Sequence, residues 1–130
     1  MATWQEVRAH LAQKYQIAKD EPNWIGLGWK VPTDKHGELT QHQRVEPVTV
    51  NGETWILVWS PIVEINRVPP LKVLERNMTF VIGSIAIHEG LYVFRAVLPL
   101  EGLDWKLFDA NLEAVARESA VLKADAPVVS

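Results

Sequence analysis

Four histidines are the residues of this chain best suited to proton transfer or metal binding, and their spacing favours neither. His10 falls in an N-terminal helical pattern, His36 and His42 in a polar segment, and His88 beside a tight turn. No two stand at the i, i+4 spacing of a helical metal pair, and no carboxylate cluster accompanies them. They read as surface histidines, with His36 and His42 as an adventitious metal pair the residual alternative. There is no cysteine, so disulfides, thiolate nucleophiles and Cys-type zinc sites are excluded. Ser60 precedes a proline and Ser84 interrupts an apolar strand; neither sits in a G-x-S-x-G elbow. Gly26-Leu27-Gly28 opens like a dinucleotide loop, but Val31 occupies the third glycine's place and no helix follows directly. The expectation is a protein without enzymatic activity, metal or cofactor.

Six tryptophans could stack nucleic-acid bases. Stacking sheets normally lie in a basic groove, whereas Lys30, Lys35, Arg44, Arg67, Lys72 and Arg76 are scattered here and the net charge is −3. No nucleic-acid partner is expected, and core or interface packing is the better reading. Trp4 and Trp105 fall on helical stripes. Trp55 and Trp59 are two residues apart on one strand face, where they suit a groove as well as a core. A small-molecule-binding or enzymatic domain using the space near them is the reading from another functional class.

The elements that must position these residues are legible from caps and periodicity. Thr3-Trp4-Gln5-Glu6 is a capping box, and Trp4, Val7, Leu11, Tyr15 and Ala18 follow helical spacing, which predicts a helix from about Thr3 to Tyr15. Trp24–Val31 reads as a strand with Gly26 and Gly28 on one face. Thr33–Arg44 is polar and turn-rich, and Val45–Val50 resumes extended structure. Asn51-Gly52 signals a hairpin, which makes Thr54–Ile65 the return strand, with Pro61 marking an edge, bend or bulge. Pro69-Pro70 starts a short helix carrying Leu71, Leu74 and Met78. Phe80–His88 and Leu91–Leu98 form two further strands around Glu89-Gly90. Asp104 caps a long helix whose Trp105, Phe108, Leu112, Val115, Ser119 and Leu122 make one apolar stripe. Asp109, Glu113 and Arg117 fall on another face as a solvated ladder.

The stretch Thr54–Ile65, TWILVWSPIVEI, carries apolar side chains at odd and even positions alike. A sheet with one wet face would alternate, so both faces of this one require cover. The first and last helices can cover one, and only the short middle helix remains for the other. The expected architecture is a single α+β domain over residues 1–130, with a five-stranded, largely antiparallel sheet, packed helices, a frayed tail at 124–130, and homodimerisation through the second sheet face. MATWQEVRAH has no signal-peptide pattern, and no apolar run approaches the ~18 residues needed to span a bilayer. A cytoplasmic location without a membrane partner is expected.

The second half, LKVLERNMTFVIGSIAIHEGLYVFRAVLPLEGLDWKLFDANLEAVARESAVLKADA, resembles the C-terminal half of type III secretion chaperone-like domains. That superfamily includes the class I secretion chaperones and the YbjN-type proteins described as sensory transduction regulators. The shared pattern is a Leu-rich helix ending near Asn77, a strand reaching a glycine, a strand ending in Leu98-Pro99-Leu100, and Gly102-Leu103-Asp104 opening a long helix. The α–β–β–β–α–β–β–α order is also the family's. The resemblance implies a bacterial, cytoplasmic, non-catalytic homodimer. Its dimer contact would come from the middle helix and following strand: Leu71, Leu74, Met78, Phe80 and Ile82. A segment of a partner protein would lie on Trp24, Trp29, Trp55, Leu57 and Trp59. A YbjN-type regulator without a secretion substrate is the alternative. The polar Thr33–Arg44 segment and the Pro61-interrupted strand depart from the chaperone pattern.

Overall fold

The structure, a computed structural model, describes residues 2–126. Helix α1 (Trp4–Lys14) starts on Thr3, whose hydroxyl accepts from the Glu6 amide at 3.2 Å, and it buries Val7 and Leu11. Strands β1 (Ile17–Glu21), β2 (Trp24–Thr33), β3 (Gly37–Val50) and β4 (Glu53–Glu64) follow as an antiparallel meander. A 3-10 turn at Ile65–Arg67 leads to α2 (Pro70–Asn77), the hairpin β5 (Ser84–His88) and β6 (Leu91–Pro99), and finally α3 (Trp105–Asp125). The Asp104 carboxylate accepts from the amides of Lys106 and Leu107, satisfying donors that the first turn of α3 leaves free. The β3–β4 and β5–β6 turns have positive φ at their two central residues: 52° and 79° at Asn51 and Gly52, and 48° and 81° at Glu89 and Gly90. That is the type I′ geometry whose twist matches the flanking strands.

The sheet has six strands, in the order β1-β2-β3-β4-β6-β5, and not the expected five. The additional one is β1, a short edge strand with no apolar alternation to announce it. The polar segment Thr33–Arg44 is only briefly a turn, because β3 already begins at Gly37. The strand expected from Phe80 begins at Ser84. Gly83, at φ +80°, approaches the Phe94 ring so closely that an added Cβ would lie 2.6 Å from it, and extended pairing starts only beyond that contact. Pro61 does mark a bulge, between Pro61 and Val63, yet β4 is an interior strand lying between β3 and β6. Ala124 and Asp125 are still helical, and the rest of the tail expected to fray lies almost wholly outside the described residues.

All three helices stand on one side of the sheet. Helix α3 lies across β2, β3, β4 and β6 and buries Phe108, Leu112, Val115, Ser119 and Leu122. These meet Leu27, Val45, Ile56, Val58 and Phe94 in one core that also takes Val7 and Leu11 of α1. Helix α2 was expected over the second face, but it sits on the first, at the β5 end. Val73 packs on the common core, and Phe80 just beyond the helix meets Phe94 edge-on at 4.9 Å between ring centroids. The Asn77 side chain exchanges two hydrogen bonds with the backbone of Ile85, taking its N–H at 2.7 Å and giving to its carbonyl at 3.1 Å, as a neighbouring strand would. The second face of the sheet is therefore bare among the described residues.

Candidate functional site

The bare face is built by register. Pairing places Lys19, Gly26, Arg44, Trp59, Arg95 and Ser84 in one row across all six strands. Paired residues point the same way, so three cations and an indole share a line, with Arg44 and Arg95 about 10 Å apart on either side of Trp59. Next to it lie Leu57, paired with Glu46 and Val97, and then Trp55, paired with Val48 and Pro99. The Arg44 guanidinium sits 4.1 Å from the ring centroid of Trp24 and 5.9 Å from that of Trp59, and Glu46 accepts from its Nε at 2.9 Å. Both rings are within cation–π range. The Trp24 ring reaches over Gly26, where a side chain would meet it at 3.3 Å. Trp59 divides two shallow hollows, one toward Trp24, Gly26 and Arg44, the other toward Leu57, Val93, His88 and Arg95. Trp24, Trp55, Leu57 and Trp59 are all half-buried here.

Trp29 lies elsewhere. It belongs to the alternate set of β2 with Leu27 and Val31, on the helix side, where its indole N–H donates to Gln43 Oε1 at 2.9 Å and its ring leans on Tyr15. The residues implied for a dimer contact also divide. Leu71, Leu74 and Met78 are 69%, 63% and 89% exposed on the outer side of α2, whereas Phe80 and Ile82 are partly buried against the chain's own core. Val81 joins the exposed group. This apolar stripe is at the β5 end on the helix side, so it and the bare sheet face are separate surfaces.

The titratable groups converge at a different place. Asp109 is not part of a solvated ladder: its side chain is only 17% exposed and ties α1 to α3. The Tyr15 hydroxyl donates to Oδ1 at 2.5 Å, His10 Nε2 meets the same oxygen at 2.8 Å, and Lys14 Nζ donates to Oδ2 at 2.7 Å. Burial pushes the Asp109 carboxyl up, but the bonds from Lys14, Tyr15 and His10 outweigh it and hold it below the usual carboxylate range. Burial first, and the bond to Asp109 second, push the Tyr15 phenol far above its ordinary value. His10 also stacks on Trp105, at 4.6 Å between centroids, so it is no free surface histidine. His10, Lys14 and Tyr15 each direct a polar atom at this one carboxylate, and the geometry is that of a latch between helices. His36 Nε2 meets the Ala124 carbonyl at 3.2 Å, and no cluster of three or more metal-binding side chains occurs among the described residues. Ser60 is buried, accepting from Gln41 and donating to the His42 carbonyl, which makes it structural. No described helix is long and apolar enough to cross a membrane.

No family model matches the chain, and no curated protein does. Among solved structures, a chain of the "Structure of the HopA1-SchA Chaperone-Effector Complex" is similar to it with a TM-score of 0.59 at 10% identity, over 88% of this chain and 86% of that one. At such identity the likeness is one of fold: this chain has the mixed α+β fold, an antiparallel sheet with helices packed upon it, of a chain in a chaperone–effector complex.

Proposed function

We propose that this protein is a non-catalytic, chaperone-like binding domain that holds an extended segment of a bacterial partner protein on its bare sheet face. The observation that carries the reading is the composition of that face. A solvated face of an antiparallel sheet is polar, whereas this one presents Trp24, Trp55, Leu57 and Trp59 among Arg44, Arg95 and Lys19. Half-buried indoles beside cations suit a chain that offers apolar side chains at alternate positions and carboxylates between them. The fold shared with a chain of a chaperone–effector complex supports the same class of role. Two copies associate through the Leu71, Leu74 and Met78 stripe, which leaves both sheet faces of the pair free to bind.

A photo-crosslinking residue at Leu57, introduced in the native host, tests the reading, with a second at Glu118 on α3 as the control. Protein adducts from position 57 that are missing from position 118 are the expected result. An exported partner would identify a secretion chaperone, and a signalling component would identify a YbjN-type regulator. Identical adducts from both positions, or none, would overturn the assignment. Light scattering is expected to give twice the 14.7 kDa of the chain, and Leu74→Glu to return the monomer.

A further inference from the structure

A crevice of about 230 Å³ opens between α2, the last turns of α3 and the sheet, apart from both surfaces described above. Its lining is apolar at depth, with Ile62 and Tyr92 from the sheet and Leu122 from α3, and charged at the rim, with Lys72, Arg76 and Asp125. The Tyr92 hydroxyl donates to the Val68 carbonyl at 2.7 Å, so the ring offers the interior its face and no free polar group. At its depth a sugar ring or nucleotide base would find little to replace its bonds to water. The volume exceeds the ~150 Å³ that accommodates a benzene ring but falls below the ~300 Å³ of ordinary drug-sized sites. It therefore suits a single short alkyl chain.

The rim selects the head group. Lys72 and Arg76 are four residues apart on α2, hence on one side of it and about 6 Å apart at their bases. Asp125 lies 3.1 Å from Lys35 but 3.9 Å from Arg76, so its charge is held mainly by Lys35. Lys72 makes no ion pair among the described residues. Two cations thus stand at the rim of an apolar hollow, and the nearby Asp125 carboxylate is shared between Lys35 and Arg76.

We propose that this crevice binds a medium-chain alkyl carboxylate, its chain lying on Ile62, Tyr92 and Leu122 and its head between Lys72 and Arg76. The site is independent of the partner-binding face and stands or falls without it. The test titrates sodium octanoate, and separately 1-octanol, into the isotope-labelled protein and follows amide shifts by NMR. Octanoate is expected to saturate with shifts centred on Val73, Ile85 and Leu122, and to bind about tenfold tighter than the alcohol. Replacing both rim cations, Lys72→Gln with Arg76→Gln, is expected to abolish that preference while the alcohol binds as before. Val73→Trp, which fills the hollow, is expected to exclude both ligands. Equal affinity for acid and alcohol, shifts centred on the Trp24 and Trp59 face, or no shift up to the solubility limit would each overturn the proposal. Should Val73→Trp fail to fold, the exposed rim pair decides alone.

Discussion

Asp109→Ala removes the carboxylate on which His10, Lys14 and Tyr15 converge, and its cost can be worked out partner by partner. Lys14 is more than half exposed, so its share is close to nothing. The bonds from His10 and Tyr15 are part-buried, and each contributes about 1–1.5 kcal/mol, the lower end for a charged acceptor because water still reaches the group. The total is about 2–3 kcal/mol, which lowers the melting temperature of a chain this long by roughly 6–12 °C. Tyr15→Phe should cost about 1 kcal/mol by itself, and the double-mutant cycle with Asp109→Ala should return a coupling of similar size. The pH dependence has two arms. Because the Asp109 carboxyl titrates lower in the fold than in the unfolded chain, its stabilisation is complete above the ordinary carboxylate range and fades as pH falls through the folded value. Because the Tyr15 phenol titrates higher in the fold, its stabilisation is whole below about pH 10 and fades at more alkaline pH. Urea unfolding at pH 7, pH 3 and pH 11 measures all of this. A variant within about 0.5 kcal/mol of the parent at pH 7, or one that keeps the parent's full loss of stability between pH 7 and pH 3, would refute the latch.

Three further perturbations are expected to separate structural from functional residues. Gly83→Ala puts a side chain where φ is +80° and where its Cβ would lie 2.6 Å from Phe94 and 2.8 Å from the Arg95 carbonyl; a loss of about 2–4 kcal/mol in denaturant unfolding is expected, and a neutral effect would show that this segment is not fixed. Gln43→Leu leaves the Trp29 indole N–H without its acceptor and removes the side-chain bond to the Leu112 carbonyl, which keeps its place in the helix; it should cost about 1–3 kcal/mol and alter Trp29 fluorescence, and an unchanged spectrum would count against the contact. Asn77→Ala uncovers the backbone of Ile85 on the free edge of β5; faster hydrogen exchange at that amide, with more self-association by light scattering, is expected. Unaltered protection there would dismiss the edge-covering role.

Most of the elements could be read from the chain because they are announced by local chemistry: Thr3 and Asp104 as helix caps, Asn51-Gly52 and Glu89-Gly90 as hairpin turns, Pro70 at the start of α2. What escaped had no such signal. In the first part of β3, ahead of Val45, the buried positions are Gln41 and Gln43, glutamines that bond to Ser60, to the carbonyls of Pro61 and Leu112, and to Trp29. Their outward neighbours Thr40, His42 and Arg44 are polar too, so hydrophobic periodicity is silent over a true strand. Strand β1 is an edge with three of its five residues exposed, and nothing in IAKDE alternates. The two-sided greasiness of β4 did point to a second face that the chain's own helices leave uncovered. Its cationic row did not show, because Lys19, Arg44 and Arg95 fall into line only once four strand registers are fixed. Asp109 was hidden in the same way, by more than ninety residues of chain between it and its three donors.

Placing the principal covering helix after all the strands it covers has a consequence for biosynthesis. Strands β1 to β4 pair with their sequence neighbours and can zip together while the ribosome is still adding residues, but α3, Trp105–Asp125, comes only after all six strands. Until that segment leaves the exit tunnel, the nascent sheet has oil on both sides, and it is then most prone to stick to its neighbours on a polysome. A stop codon anywhere before Trp105 would consequently leave a sticky ribbon for the quality-control machinery to remove.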